Sequence, residues 1–477
     1  MTKKHWDSFK QYEDAAARMF GSSADIIQQV ISLSGAEVHL VYCQGLCDVK
    51  KVEQYIIPEL KNIPEDILRS DELNLQQKVP FHMEPLPMDK MEEAMKEIVL
   101  EGDLLLAFTP MNLLFFAKVA DPPKRQPEEP NTEVSTRGPR DGFIEDALVN
   151  IALIRRRLKS DMLAVEEYTA GTETATKVYL LYHKDTIKPH VLREIKDKLS
   201  HLQVKGLVSN TQLEESLHGF TFFPLMTYTG RPDYAVNSIL HGKFVIVMGG
   251  SPTVLMAPVT FNFLLNTSED AHFVNVFVAV TRFLRMCSAF FSVFLPGFWI
   301  ALNTFHQDQI PFTLLATLVN SRQGVPLPAP LEAIVMLILF ETFREAGMRL
   351  PSAFGQTLSV VGGLIIGQAA ISAGIAGPGT IVVIAISVLS TFTLVNQSLI
   401  SVISLIRIVV LLISGILGLF GTLVCLLTLV LYLGNVRSFG TPYLAPISPP
   451  KLRDIYKVLF RMPWGKGNFT DKSKNKG

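Results

Sequence analysis

Charged side chains interrupt an apolar stretch at residues 331–356, and their spacing is the strongest chemical signal in the chain. The ionisable residues of this stretch are Glu332, Glu341, Arg344, Glu345 and Arg349. In hydrocarbon each such group costs roughly 2.5–3.5 kcal/mol on insertion scales, so it persists where it pairs, faces a bundle interior or lines water. On a helix, Arg344 and Glu345 follow Glu341 at spacings i+3 and i+4, so Arg344 is placed to neutralise one carboxylate. The other carboxylate then needs a partner elsewhere in the fold.

Two interpretations of this charged stretch remain open. In the first, the charges are the wet end of a short helix at head-group level. In the second, they form a polar contact between helices or between subunits beside a pore. The apolar residues at 331–340 are too few to span a bilayer, which needs about 20. We therefore expect a re-entrant or oblique helix here.

The other residues whose types could support catalysis or metal binding form no recognisable site in the sequence. The ten histidines form no HxxxH, HxH or HExxH pair, and Cys43 and Cys47 lack a second pair to complete a tetrahedral site. His306, Gln307 and Asp308 follow an apolar segment directly and are candidates for a pore mouth. No Ser-His-Asp or Cys-His spacing is diagnostic. We predict no enzyme activity, no metal and no cofactor.

Composition divides the 477-residue chain into a soluble part and an apolar part. Charged residues occur throughout residues 1–282, whereas residues 283–435 are almost continuous Leu, Ile, Val, Phe, Gly and Ala. A formal net charge of zero gives no indication of a nucleic-acid partner. The predicted fold is therefore α/β, as two small mixed lobes, followed by an α-helical multi-span membrane domain. In the first lobe, residues 26–33 are predicted as a strand, and Asp48 is predicted to cap a helix that extends to about residue 60.

A proline-rich stretch without an apolar run separates the two predicted lobes and is expected to be a linker. The predicted boundaries are 1–21 for an N-terminal segment, 22–120 for the first lobe, 121–140 for the linker, 141–260 for the second lobe, 283–435 for the transmembrane domain and 436–477 for a basic cytoplasmic tail.

A basic run, Arg155, Arg156 and Arg157, ends an amphipathic helix predicted over residues 143–159. Basic side chains suit a helix C-terminus because they complement its dipole. We expect a solvated helix end here, and a phosphate or an acidic lipid partner is the alternative.

Four full spans and one partial helix are predicted in the apolar block. The expected helices are 283–305, 331–340, 357–372, 379–392 and 405–433. Small residues allow helices to approach closely in membranes, which is the role we expect for Gly362, Gly363 and Gly367. The basic tail and the absence of a signal peptide favour the cytoplasm for both ends, which requires an even number of crossings.

Several stretches resemble the A subunits of spore germinant receptors, the GerA type, from endospore-forming bacteria. These stretches are STRGPRDGFIEDALVNIALIRRRLKS, RPDYAVNSILHGKFVIVMGGSPTVLMAP, FHQDQIPFTLLATLVNSRQGVPLPAPLEAIVMLILFETFREAGMRLPSAFGQTLSVVGGLIIGQAA and SFGTPYLAP. The resemblance covers residues 25–446, and its motifs occur in the same order.

The resemblance implies a receptor subunit in the inner membrane of the spore, in contact with membrane lipid. Its implied partners are further copies of itself in a pentameric ring, a transporter-like B subunit and a lipoprotein C subunit. The ring would be a germinant-gated channel for monovalent cations. A paralogue, stage V sporulation protein AF, shares the same body and would amplify germination instead. A non-conducting assembly scaffold is a further alternative, and a secondary transporter is disfavoured because the membrane block shows no repeated halves.

Overall fold

The described residues of the computed structural model form two compact units. The first contains residues 1–220 and 225–258, and the second contains residues 221–224 and 259–477. The structure describes residues 9–33, 36–64, 79–86, 91–109, 113–123, 138–219, 221–349, 367–445 and 447–448.

The first unit contains two lobes, each built on a five-stranded antiparallel sheet. The strands of the first lobe have the spatial order β1-β2-β4-β5-β3. They are β1 (Ile26–Leu33), β2 (Ala36–Cys43), β3 (Glu84–Pro85), β4 (Leu104–Phe108) and β5 (Leu113–Ala117).

Helices cover both faces of the first sheet, which explains why its central strands are apolar without alternation. In β4, Leu104, Leu106 and Phe108 pack against one helical layer, and Leu105 and Ala107 pack against the other. The first layer is α2 (Val49–Lys51), a π-helical turn (Val52–Ile56) and α3 (Ile57–Lys61), and the second is α1 (Phe9–Phe20) and α4 (Met91–Glu101). The Asp48 side chain caps α2 by accepting from the Lys51 amide at 3.0 Å, as the sequence predicted.

The second lobe repeats the strand order of the first, with β6-β7-β9-β10-β8 in place of β1-β2-β4-β5-β3. In each lobe, two hairpins form the sheet and a short third strand closes one edge. Its elements are α5 (Ala147–Arg157), β6 (Leu163–Ala170), β7 (Thr176–His183), α6 (Pro189–Ser200), α7 (Asn210–His218), β8 (Thr227–Thr229), α8 (Pro232–Leu240), β9 (Phe244–Met248) and β10 (Val254–Ala257).

The second unit is helical. Two of its helices are long and apolar enough to cross a membrane by length and composition, Asn275–Phe305 and Gln397–Asn435. Its helices are α9 (Phe261–Leu264), α10 (Asn275–Phe305), α11 (Phe312–Ser321), α12 (Ala329–Arg349), α13 (Gly367–Ser372), α14 (Pro378–Phe392) and α15 (Gln397–Asn435), followed by a short hairpin of β11 (Arg437–Ser438) and β12 (Thr441–Pro442). The predicted fold class, two mixed lobes followed by an α-helical domain, is confirmed.

Contacts among these helices fix their relative directions. Gly297 of α10 lies against Ser414 of α15, and Gly418 of α15 lies against Phe305, so α10 and this part of α15 run parallel. In contrast, Pro330 at the start of α12 meets Gly415 of α15, whereas Arg344, near its end, bonds Ser404, earlier in α15. Helix α12 is therefore antiparallel to α15.

The 39 residues of α15 do not form one straight rod. Gly418 has φ +64° and ψ −147°, values that lie outside the helical region. On a straight helix Ser414 and Thr422 would be about 12 Å apart, but their hydroxyls are 2.8 Å apart. The chain therefore folds back at Gly418, and what the sequence predicted as one span at 405–433 is two helical segments.

The helix predicted to end near residue 340 continues without interruption to Arg349, giving a helix of 21 residues. The helix continues past residue 340 because Glu341 and Arg344 find partners on α15, so these two charges do not need to reach water. Helix α14 begins at Pro378, close to the predicted start. The helix predicted at 357–372 falls mostly outside the described residues, which include only its last part, α13.

Candidate functional site

A cluster of charges and hydroxyls joins four helices inside the second unit. Arg407 of α15 donates from Nη2 to Oε1 of Glu341 on α12. Arg344, three residues further along α12, pairs with the other oxygen of Glu341 at 2.7 Å. The carboxylate thus bridges two guanidinium groups, one from its own helix and one from α15.

Serine hydroxyls extend this cluster to α10 and α14. The Ser404 hydroxyl accepts from Arg344 at 2.6 Å and from Arg407 at 3.3 Å. Arg407 also donates to the Ser387 hydroxyl at 3.3 Å, and Ser387 donates to the carbonyl of Ser292 at 2.8 Å. Arg407 and the three serines are buried, and Glu341 and Arg344 are half-buried. We refer to these six residues as the bundle cluster.

The bundle cluster contains part of the predicted charged set. Glu341 and Arg344 are brought together, and Glu341 has a second guanidinium partner, Arg407, that the sequence analysis did not identify. Glu345 is exposed, and the side chain of Arg349 lies outside the described part of the structure. Sequence spacing could not reveal Arg407, because 66 residues separate it from Glu341. A lone arginine near the start of the longest apolar run was the one available signal.

Glu332 lies outside the bundle cluster, although the sequence grouped it with the other charges. Its side chain is fully buried, and Oε1 accepts a hydrogen bond from the amide of Gly377 at 2.7 Å. Gly377 is the N-cap residue of α14. The carboxylate therefore sits at the positive end of that helix, where a negative charge is stabilised. Arg322 Nη2 lies 3.4 Å from the second oxygen, Oε2.

The predicted pore-mouth residues form a turn after α10. His306 is half-buried and ends α10, with its ring Nδ1 3.4 Å from the carbonyl of Ala301. Gln307 donates to the carbonyl of Asn303 at 2.6 Å, and Asp308 is exposed. This turn packs beside Gly418, where α15 folds back. The three residues do not contact the bundle cluster in any of the described hydrogen bonds.

Among the described residues, close helix packing involves two glycines that the sequence analysis did not single out, Gly297 and Gly379. Gly362 and Gly363 lie outside the described residues, and a Cβ at Gly367 would meet none of the described atoms within 4 Å. At Gly297, by contrast, a Cβ would lie 2.8 Å from the Ser414 hydroxyl, and at Gly379 it would lie 3.0 Å from the Trp299 ring. These two glycines bring α10 close to α15 and to α14.

A second buried ion pair joins the two lobes of the first unit. Arg155 of α5 donates from Nε and Nη2 to the two carboxylate oxygens of Asp25, at 3.0 and 2.9 Å, and both side chains are buried. Its remaining N–H groups reach the carbonyls of Ser160 and Leu163 and the hydroxyl of Ser23. A guanidinium has five N–H donors, and each one is matched here. The prediction of a solvated helix end is wrong for Arg155, because lobe contacts satisfy its charge without water.

Asp270 anchors the segment that precedes α10. It accepts from Arg285 at 3.0 and 3.1 Å and from Arg282 at 3.2 Å, and it forms a capping box with Thr267. Burial alone would raise the pKa of Asp270, but the two guanidinium groups and the Thr267 hydroxyl outweigh it and hold the pKa below its ordinary value. The carboxylate therefore stays ionised and fixes the start of the first long apolar helix.

The part of the chain that the structure describes contains no candidate metal site, because no three His, Cys, Asp or Glu side chains converge there. The charged groups of the bundle cluster and of the Arg155–Asp25 pair are instead bonded across helices and lobes. Such pairing can hold helices in register and can store charge out of water.

Comparison with known proteins identifies the family of this chain. The sequence model described as Bacillus/Clostridium GerA spore germination protein matches residues 14–472. Spore germination protein XA of Bacillus anthracis is 47% identical over 430 residues, covering 89% of this chain and 87% of that protein. Spore germination protein KA of Bacillus subtilis (strain 168) is 33% identical over 452 residues, covering 93% and 82%. The uncharacterized membrane protein YfkQ of the same organism is 32% identical, covering 93% and 86%.

Among solved structures, the chain is similar to the crystal structure of the N-terminal domain of the A subunit of the Bacillus megaterium spore germinant receptor GerK3. The TM-score is 0.40 at 20% identity, covering 55% of this chain and 98% of that one. The family match over nearly the whole sequence, together with relatives above 30% identity, decides the assignment: the chain belongs to the GerA family of spore germination proteins.

Proposed function

We propose that this protein is the A subunit of a nutrient-sensing germinant receptor and that copies of it form a membrane ring that conducts monovalent cations. The observation that carries this proposal is the bundle cluster. Two arginines and a glutamate are held among apolar helices, where insertion of each charge costs roughly 2.5–3.5 kcal/mol. A helix bundle that only anchored the lobes would not need this expense, whereas a structure that moves charge across the membrane uses ionisable groups in its interior.

Helix lengths and directions support a multi-pass arrangement in the membrane. Helix α12 has 21 residues, about 31 Å, which matches the hydrocarbon thickness of about 30 Å. The first segment of α15, up to Gly418, has a similar length. Its second segment leads to Tyr443, whose backbone bonds Phe261. The segment before α10 and the segment after α15 therefore lie at the same end of the helical unit. This supports our proposal that the lobes and the tail share the cytoplasmic side of the membrane.

The ring is proposed to be a pentamer of this chain in the inner membrane of the spore, together with a transporter-like B subunit and a lipoprotein C subunit. Exposed apolar side chains on the long helices provide surface for lipid and for neighbouring copies. On α15 these include Leu405, Val409, Leu412 and Ile416, which recur at a helical spacing along one face. A head-to-tail contact that closes produces such a ring. His306, Gln307 and Asp308 are proposed to lie at one mouth of the pore.

The proposal is tested by purifying the full chain, measuring the mass of the detergent complex and recording current across a planar bilayer. We expect one closed oligomer and discrete current steps carried by K⁺ and Na⁺ but not by Cl⁻. A defined oligomer that passes no current under any applied voltage would overturn conduction and leave an assembly scaffold. Deletion of the gene distinguishes a receptor subunit from the AF-type paralogue. Loss of germination in response to one nutrient indicates a receptor, whereas slower germination in response to all nutrients indicates an amplifier.

A further inference from the structure

Glu332 has an oxygen that the described residues leave without a hydrogen bond. Its side chain is 0% exposed, and Oε1 is occupied by the amide of Gly377 at 2.7 Å. Oε2 is buried and accepts from no donor among the residues that the structure describes. An unpaired buried carboxylate oxygen is costly, because the desolvation of the group is not repaid.

Arg322 covers this oxygen without binding it tightly. Its Nη2 atom lies 3.4 Å from Glu332 Oε2 and 3.5 Å from the carbonyl oxygen of Leu327. Both distances are long for charge-assisted hydrogen bonds, which are typically about 2.7–2.9 Å. The Arg322 side chain is 29% exposed, whereas Arg407 in the bundle cluster is fully buried. Arg322 therefore reaches the carboxylate from the exposed side of the site.

The electrostatics of the position favour moderate attraction for a cation. The N-terminus of α14 carries roughly half a positive charge, and it faces the full negative charge of Glu332. With Arg322 withdrawn, about half of a negative charge remains uncompensated. Sites in conduction pathways must bind ions favourably enough for entry and weakly enough for exit. A carboxylate and a carbonyl oxygen are also the ligand types that hard cations take.

We propose that Glu332 Oε2 and the Leu327 carbonyl form a binding site for monovalent cations, which Arg322 fills as a tethered cation in the resting protein. Withdrawal of Arg322 opens the site to K⁺ or Na⁺. Pro330, two residues before Glu332, lies against Gly415 of α15. Because Gly415 is three residues before Gly418, the site lies near the end of the helical unit at which α15 folds back. The gating role of this site rests on the proposed function, but cation binding to it does not.

Binding is tested by thermal unfolding of the full chain in detergent, with KCl or NaCl replacing choline chloride at constant ionic strength. A ligand that binds only the native state raises its stability. We expect Arg322→Gln to gain Tm in K⁺ or Na⁺, while the wild type and Arg322→Gln/Glu332→Gln do not. Arg437→Gln removes the same charge from exposed β11 and is expected to behave as the wild type.

Gating is tested by K⁺ efflux from proteoliposomes, normalised to inserted protein. We expect Arg322→Gln to raise the basal efflux by about tenfold, equivalent to about 1.4 kcal/mol of lost closed-state stabilisation. Arg322→Lys keeps a tethered cation and is expected to stay near the wild-type rate, as is Arg437→Gln.

The two measurements separate the site from the channel. If Arg322→Gln shows no cation-dependent gain in Tm, or the same gain persists without Glu332, the proposed site is overturned. If the gain depends on Glu332 but no variant and no wild type passes cations, the binding site stands and the proposed conduction fails. If the wild type passes K⁺ and Arg322→Gln has the same basal efflux rate, the gating role is overturned.

Discussion

Arg407 on α15 donates directly to the carboxylate of Glu341 on α12, although 66 residues separate the two in the chain. Glu341 thus accepts from two guanidinium groups, Arg344 and Arg407, whereas Glu345 of the same stretch is exposed. The contact also ties the helix of the charged stretch to the fold-back helix, and the hydroxyls of Ser387 and Ser404 accept further hydrogen bonds from these guanidinium groups. Within the charged stretch, Glu341 and Arg344 therefore take part in an inter-helix contact within one chain.

The first prediction concerns the ion pair between the lobes. Asp25→Asn removes the negative charge and leaves the Arg155 guanidinium buried without a counter-charge. Removing one partner of a buried pair typically costs about 3–5 kcal/mol. We expect a large fall in the urea concentration at which half of the first unit is unfolded. Unfolding of the full protein is monitored by intrinsic fluorescence or circular dichroism.

The matched control for the lobe pair is Arg18→Gln. Arg18 pairs with Glu92 at the same 2.9 Å, but both side chains are mostly exposed. Exposed pairs contribute about 0–1 kcal/mol, so this variant should unfold close to the wild-type midpoint. Equal midpoints for Asp25→Asn and Arg18→Gln would mean that Arg155 does not hold the lobes together.

The second prediction concerns the fold-back of α15. Gly418 has a backbone conformation that is essentially restricted to glycine. A Cβ there would also lie 3.1 Å from the His306 ring and 3.2 Å from the Phe305 ring. Gly418→Ala should therefore destabilise the helical unit by about 1–3 kcal/mol, measured as a fall in Tm in detergent.

Gly434 provides the control on the same helix. A Cβ at Gly434 would meet no described atom within 4 Å, and its backbone is not in the left-handed region. Alanine in such a helical position is favoured over glycine by roughly 0.5–1 kcal/mol. Gly434→Ala should keep or raise Tm, and a loss equal to that of Gly418→Ala would argue that the fold-back is not a fixed turn.

The third prediction concerns pH. The folded pKa of Asp270 is held below its ordinary value of 3.8, so the unfolded chain takes up a proton first as pH falls. The stabilisation by Asp270 is therefore complete above pH 3.8 and is lost as pH drops through the folded pKa. Asp270→Asn should lower Tm at neutral pH and flatten the acid limb of a plot of Tm against pH. An unchanged acid limb would show that the ion pairs of Arg282 and Arg285 with Asp270 do not contribute to the stability of the protein in this pH range.

Local sequence signals predicted the local structure well. Residues 26–33 were predicted as a strand from their loose apolar alternation and form β1 with the same bounds. Asp48 was predicted to cap a helix and does so. The pairing of Arg344 with Glu341 followed from helical spacing alone, since i and i+3 side chains share a helix face.

Long-range relationships were not accessible from one sequence. The common strand order of the two lobes leaves no visible repeat in the residues, because many apolar sequences fit the same sheet. The ion pairs of Arg155 with Asp25 and of Arg407 with Glu341 depend on which helices meet. Gly418 was hidden inside the longest apolar run, where composition indicated one continuous span.

The geometry of the bundle cluster determines which exchange of two charged residues should restore function. Exchanging Glu341 with Arg344 would place an arginine against Arg407. Exchanging Glu341 with Arg407 keeps one carboxylate between two guanidinium groups. We therefore expect Glu341→Arg/Arg407→Glu to recover function in part and Glu341→Arg/Arg344→Glu not to recover it, and recovery by the second exchange alone would contradict the arrangement.

The most direct test of the account is the basal K⁺ efflux from proteoliposomes that contain equal inserted amounts of the full chain. Glu341→Gln leaves the buried Arg407 guanidinium without its carboxylate, a loss of about 3–5 kcal/mol. Arg407→Gln removes the cation that ties α15 to α12, so both variants loosen the closed bundle. We predict that each single variant raises basal efflux by at least about tenfold and that Glu341→Arg/Arg407→Glu returns it toward the wild-type rate. Wild-type efflux from both single variants would contradict the claim that this buried pair holds a conducting assembly closed.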